Sequence, residues 1–567
     1  MLGSKLAGRA LAPFLLALAG CANLPEYRPA GELAFAEQNW SPAQRGWFYH
    51  TSQGTRLMPM AWFLALEQPE LSLTGAPRFA APEYLARFGF LPDPPSAANP
   101  QGLPVGFAPD DRFPGEDGQA REVIVGLTCA ACHTGQIERN GRALRVDGGP
   151  AMTDTAAFQR QLGVALFLTQ QSEPRFGRFA AAVLGAEDGT AARERLKARL
   201  DRAIAAGQDE TGQAREARLY PVAEGFGRLD ALGRGGNFVF GTVLNDRRNF
   251  AVADAPVSYP ALWDAPWFDW VQYNGAIRQP MGRNVAEAMG VRAGTKLSGP
   301  PEELYRSTVR IENIHAMEVL LAGPAPGAGL RPPAWPEDLL GPIDRAAAGR
   351  GEVLYRNLCA GCHEGRWESA ADLPGEPPRR ELRLTMVPLE RIGTDPKAAT
   401  NFIRRRAYPE AGSTAQISAA EGLQRVTTGV IGAWYAQNGI PEARRREMDG
   451  YRVNEWRAPA AYRARPLNGV WATAPYLHNG SVPTLYQLLL PAERRDAAFF
   501  VGSRQFNPRE VGFETRPFEG GFRFDTAIPG NSNRGHEFRD GPRGNGTIGP
   551  ALGEDQRRDL VEFLKTL

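Results

Sequence analysis

The apolar positions of this chain change their period several times, and each change marks an element. Leu11 to Leu18 is a short unbroken apolar run behind Lys5 and Arg9. It is too short to cross a bilayer and predicts the core of an export signal. Residues 22–120 are rich in proline and aromatics and keep no regular period. Glu122-Val123-Ile124-Val125-Gly126-Leu127 predicts a strand. Gln136 to Val146 alternates on either side of Asn140-Gly141, a hairpin signal, and runs into the turn Asp147-Gly148-Gly149-Pro150. Residues 153–206 place alanine, leucine and arginine at helical spacing, and Glu302 to Leu321 predicts a further helix that closes at Gly323-Pro324. Ile343 to Cys359 predicts another. Glu554 to Leu567 predicts the last, with Leu560, Phe563, Leu564 and Leu567 on one face.

Composition alters that picture in one respect. Glycine (63) and proline (47) are abundant in the 567 residues, so long irregular loops are expected between the elements. The expected fold class is mainly α, with such loops and a few short β-hairpins. The proline-rich stretch at about 322–342 predicts a boundary. It divides the chain into a leader (1–21), a first domain (22–340) and a second (341–567). A net charge of +2 gives no reason to expect a nucleic-acid partner.

The candidate chemistry lies in five cysteines. Cys129-Ala130-Ala131-Cys132-His133 is Cys-x-x-Cys-His, and Cys359-Ala360-Gly361-Cys362-His363 repeats it far downstream. This is the attachment pattern of a c-type haem, in which both thiols form thioethers and the adjacent histidine ligates the iron. The separation is too long for two haems in one small unit, so one haem c in each of two cytochrome c-like domains is expected. A zinc ribbon does not require a histidine after each pair, and a redox dithiol does not require two copies. The second motif follows a helix and the chain closes on another, as in small cytochromes c. The first follows a strand and departs from that form.

Six histidines restrict the remaining ligands: His50, His133, His315, His363, His478 and His536. His478 and His536 share the second domain and are the candidates for the far side of its haem. No histidine stands between His133 and His315, and Met152 is the only local methionine near the first motif. His50 is expected to be a packing or surface residue. An open iron binds small molecules and a closed one passes electrons; the distribution predicts one of each. Residues 258–290 are the most aromatic stretch, with Trp263, Trp267, Trp270 and Tyr273. These rings serve core packing, or they wall an apolar haem pocket or carry electrons. Trp267 and Trp270 are the candidates for that catalytic role beside His133.

The leader ends Leu18-Ala19-Gly20-Cys21, which resembles the lipobox of bacterial lipoproteins. That resemblance implies lipidation of Cys21, and Ala22 after it implies sorting to the outer membrane. The expected location is the periplasmic side of that membrane, or otherwise the periplasm or the cell exterior. Export also suits c-type haem attachment.

Ala474-Pro475-Tyr476-Leu477-His478-Asn479-Gly480-Ser481-Val482-Pro483-Thr484-Leu485 resembles a motif of the bacterial di-haem cytochrome c peroxidase and MauG superfamily. Leu262 to Gly275 and Asn531-Ser532-Asn533-Arg534-Gly535-His536-Glu537 resemble its rubber oxygenase branch, of RoxA type. The resemblance implies a reactive first haem and a bis-histidine second haem closed by His536. It also implies a calcium ion between the haems in some members, although no full ligand set is evident here. Peroxidases of the group often carry a far-side histidine soon after the first motif, and Arg145 to Thr155 has none. Three functions follow as expectations: oxidation of an apolar substrate with dioxygen, peroxidase or MauG-like protein oxidation with hydrogen peroxide, and electron carriage alone with a redox partner protein.

Overall fold

The computed structural model describes residues 24–70, 72, 74–115, 121–372, 375, 378–410 and 412–567. Cys21 and the leader lie outside the described residues. The first elements are β1 (Glu32–Phe35) and α1 (Pro42–His50). Helix α1 starts at a capping box in which Ser41 and Gln44 satisfy each other's backbone N–H groups. Strands β2 (Phe107–Pro114) and β3 (Arg121–Leu127) pair antiparallel, and β3 covers the predicted strand. Strands β4 (Thr134–Arg139) and β5 (Arg142–Asp147) form the hairpin. Asn140 and Gly141 both have positive φ, at 51° and 77°, which is what a two-residue primed turn demands of the Asn-Gly pair. Strand β1 lies parallel on β5, with Leu33 opposite Ala143.

The helical stretch expected over 153–206 is three helices: α2 (Thr155–Gln171), α3 (Glu173–Leu184) and α4 (Thr190–Glu216). Ser172 ends the first and caps the second through Arg175 N–H, so the break lies at a cap that the spacing did not reveal. Helix α5 (Pro280–Gly290) follows the aromatic stretch. Helix α6 (Ile311–Ala322) is shorter than expected at its start. There Ser307 and Thr308 hydroxyls donate to the carbonyls of Gly294 and Gly54, a local alternative to helix that these residues often take.

Helix α7 (Arg345–Leu358) is capped by Asp344 and leads directly into the turn Ala360–His363. A hairpin, β6 (Arg366–Ala370) with β7 (Arg379–Arg383), stands after it. Strand β8 (Thr385–Pro388) pairs with β9 (Ala461–Ala464), and α8 (Ala419–Gln437) lies between them in the chain. The last helix, α9 (Glu554–Leu564), packs on α7. Gly351 permits the contact, since a Cβ there would stand 2.0 Å from the Asp559 carbonyl. Tyr355 and Phe563 rings meet at 5.0 Å beside it, and Arg350 pairs with Asp559 at 2.6 Å. Leu560 and Leu564 are buried, as their face requires.

One apolar core takes residues from both sides of the boundary segment. Trp40, Phe48, Val146 and Trp263 share it with Tyr355, Trp471, Leu560 and Leu564. Trp335, inside the boundary segment itself, meets Trp471 edge-on at 5.4 Å. The segment is therefore packed, and the halves on either side of it are not separate cores. Among the described residues no helix is long and apolar enough to cross a membrane.

Candidate haem centres

The first cysteine pair sits on a short 3-10 turn, Cys129–Ala131, capped by the Thr128 hydroxyl. Thr128 is held in turn by Gly106 O and Tyr49 O. Gly106 has φ 87°, and a Cβ on it would lie 2.2 Å from Ala131 N, so only glycine fits there. His133 Nδ1 lies 2.8 Å from the Pro260 carbonyl. A carbonyl only accepts, so Nδ1 carries the proton and Nε2 keeps its lone pair for a metal. Burial pushes His133 down to about 4, which keeps that lone pair free.

The second pair repeats the device. His363 Nδ1 donates to the Arg465 carbonyl at 2.8 Å, and burial lowers this histidine as well. Opposite stands His536, its ring centroid 6.1 Å from that of His363. Two imidazoles on one metal, each bonded at about 2 Å, stand about 6 Å apart centroid to centroid. His536 Nδ1 is buried with no hydrogen-bond partner, and burial, then the facing His363, pushes it down to about 3. Its loop is fixed from several sides. Gly535, at φ 78°, passes so close to Gly393 that a Cβ would fall 2.2 Å from its carbonyl carbon. Arg495 donates to the carbonyls of Gly535 and His536.

His478 is placed differently. Its ring stacks on Tyr462 at 4.1 Å and approaches Tyr273 at 6.1 Å. The motif around it supports the His536 loop: Asn479 donates to Gly530 O and Ser532 O, and the Ser481 hydroxyl to Ser532 O. His50 has both ring nitrogens engaged, by Phe107 O and Asp93. Met152 packs with Phe226, Phe499 and Phe524 in a small cluster of its own.

Neither expected tryptophan is a contact of the first pair. Trp267 donates to Ala322 O and meets Trp367, on the hairpin after His363, at 6.2 Å. Trp270 lies under the Arg457 guanidinium at 3.6 Å. The first pair packs on the apolar core through Ala130 and Cys129 and also meets several polar groups. Gln53 Nε2 donates to Cys129 Sγ, and the Tyr259 ring lies 6.2 Å from His133. Glu287 and Arg283, on α5, act on the cysteines and His133 through their charge. Arg283 pairs with Glu318 on α6, and Gln272 donates to Glu287 at 2.9 Å. Glu287 keeps an exposed side chain although many protein atoms lie around it. Burial first, opposed by Arg283 and reinforced by Glu318, raises its carboxyl above the ordinary glutamate range.

The donor set suits haem c. All four described cysteines are free, and burial pushes Cys129, Cys132 and Cys359 up to about 12. Thiols held neutral by burial are weak nucleophiles, which argues against a redox dithiol. Arg463 and Arg465 also lack any carboxylate partner among the described residues. Arg463 Nε has no hydrogen-bond partner, and burial pushes this group down to about 9. Haem brings two carboxylates, and arginine forks match carboxylates in pairs. Among the described residues no group of three or more His, Cys, Asp or Glu gathers as an ion site. Asp395, near the motif loops, is taken up by the backbone N–H groups of Gly530 and Ser532.

The chain is 44% identical to the uncharacterised protein y4iJ of Sinorhizobium fredii over 96% of its own length and 95% of that protein. It belongs to the family of that protein. A second protein of the same organism, the uncharacterised y4iM, is 31% identical over 54% of this chain and 63% of its own. Residues 461–500 match the family model described as RoxA-like, cytochrome c-like. That stretch holds Arg463, Arg465 and the Ala474–Leu485 motif and contains neither Cys-x-x-Cys-His. A cytochrome c-like domain implies covalent haem c, and with it a haem-based redox role. Sequence reasoning missed Glu287, Gln53 and the two arginines. Arg463 lies on β9 and Arg465 one residue past its end, and neither carried a distinguishing signal. Glu287 carried none beyond its place one turn after Arg283.

Proposed function

We propose that this protein is an exported di-haem c-type oxidoreductase with a reactive first centre and an electron-transferring second centre. Cys129, Cys132 and His133 would hold one haem in the part before residue 340. Cys359, Cys362, His363 and His536 would hold the other in the part after it. When bound, haem supplies an iron that exchanges single electrons and, where a position is left open, binds a small oxidant such as dioxygen or hydrogen peroxide.

The observation that carries the reading is the contrast across the two histidines. His536 faces His363, whereas among the described residues no imidazole faces His133. Around the first pair, Glu287 has a carboxyl raised above the ordinary glutamate range by burial, so it is a candidate to give or accept a proton. Gln272 holds it by a hydrogen bond, and the charge of Arg283 acts on it from nearby. A carboxyl beside the first pair favours hydrogen peroxide as the oxidant, because its cleavage needs proton transfer. The RoxA-like match at 461–500 supports a second reading, dioxygen-dependent oxidation of an apolar substrate. Lipidation of Cys21 would hold the protein at the periplasmic face of the outer membrane.

The test is spectroscopic. The purified protein should show two haems per chain by pyridine haemochrome, and hydrogen peroxide should change one of them. A response to polyisoprene emulsion under air, without peroxide, selects the second reading. If neither haem binds cyanide or carbon monoxide, the protein is an electron carrier and both enzyme readings fail.

A further inference from the structure

The two motif histidines are joined through the protein on their Nδ1 sides. His133 Nδ1 donates to Pro260 O at 2.8 Å. One peptide bond further on, the Ala261 carbonyl accepts from Arg465 Nη1 at 3.0 Å. The Arg465 carbonyl then accepts from His363 Nδ1 at 2.8 Å. The path from one imidazole to the other therefore runs through Pro260, Ala261 and Arg465 and crosses three hydrogen bonds. Arg465 Nη2 reaches the Trp263 carbonyl at 3.4 Å as well, so its fork holds the carbonyls on both sides of Leu262. The guanidinium lies 5.8 Å from the Trp263 and Phe268 ring centres. Among the described residues no carboxylate forms an ion pair with it, and Asp264 acts on it only through its charge.

We propose that Arg465 is a positioning residue that sets both motif histidines at once and forms the bonded link between the two haem centres. Its main chain orients His363. Its side chain fixes the segment whose Pro260 carbonyl orients His133. A shift of this one residue therefore reaches both metal ligands, through partners of the kind that tune ligand basicity. An electron passing between the centres makes and breaks no covalent bond. One iron is oxidised as the other is reduced, and no further reactant is consumed. The proposal rests on the di-haem reading above.

The experiment uses the full-length holoprotein, with haem content and potentiometric titration of both haem bands as the entry check. Wild-type protein with fewer than two haems defeats the di-haem reading itself. With two haems present, pulse radiolysis injects one electron and follows its redistribution between the bands. In Arg465→Gln the redistribution should slow about tenfold, the scale on which outer-shell partners act, and both midpoint potentials should move. Arg465→Lys keeps the charge and can supply one of the two hydrogen bonds, so it should fall between wild type and Arg465→Gln. It also carries the test should the glutamine variant fail to fold. Unchanged redistribution and unchanged potentials in a variant loaded with two haems would overturn the proposal, and so would a shift confined to the second haem.

Discussion

The two cysteine pairs carry the same five-residue motif in different surroundings. The second follows a helix, as Asp344 caps α7 and α7 runs into Cys359. It has His536 across from His363 and an apolar helix contact behind it. The first follows a strand and a 3-10 turn, and meets Gln53, Tyr259, Arg283 and Glu287. The motif thus specifies attachment, and the neighbours decide whether a position stays open. The shared motif leaves the difference between the two sites to residues distant in the chain, among them Gln53, Glu287 and His536.

The most disruptive way to break this comparison is to remove the attachment. Cys129→Ala with Cys132→Ala should lower the intact mass by one haem and abolish any response to cyanide. The corresponding change at Cys359 and Cys362 should also cost one haem while the cyanide response persists. Glu287→Gln should keep both haems and reduce peroxide turnover about a hundredfold or more, the usual worth of a positioned proton donor. A variant with full turnover removes Glu287 from the chemistry. His536→Ala should convert the second site to high spin in electron paramagnetic resonance and open it to cyanide. If His478→Ala does this instead, the histidines have been assigned the wrong way round.

Smaller effects sharpen the contrast. Gly351→Ala forces a Cβ against the Asp559 carbonyl and should cost about 1–3 kcal/mol by overpacking. Thermal unfolding followed at the two haem bands should then fall together, because the core is shared. The smallest effect within the working range is on pH. His478, which is not assigned to iron, is pushed down to about 4 by burial, against about 6.5 in an unfolded chain. The unfolded chain therefore binds more protons between those values, and stability should be full above pH 6.5 and decline as pH falls toward 4. Denaturant midpoints measured from pH 7.5 to 4.5 check the sign, and a rise in stability on acidification contradicts it.

Much of this was legible in the chain, in a graded way. Cysteine spacing pointed to both haem motifs, and Asn140-Gly141 pointed to the hairpin, because each depends on neighbours in sequence. The choice of His536 over His478 as the candidate facing His363 came from a motif. The reason for it lies in the Gly535–Gly393 contact and the Arg495 clamp, which bring together residues far apart in the chain. Trp267 was drawn toward the first site by its aromatic stretch and instead meets Trp367. Arg465 and Pro260 were out of reach, since a carbonyl carries no side-chain signature and the link exists only after folding.

The continuous core has a consequence for the order of biosynthetic events. Residues from Ala36 to Leu564 close one apolar interior, so the contacts that complete it join the ends of the chain, and such long-range closure is slow. The first cysteine pair is half-buried in the folded protein. On the di-haem reading proposed above, covalent attachment would be easiest on the open chain, before the last helix seats. A chain ending at residue 340 would present Trp40, Trp263 and Trp335 to water without Trp471, Leu560 and Leu564 to cover them. Such a fragment is a candidate for aggregation or proteolysis, and quality control on the C-terminal helix becomes quality control on the first cofactor.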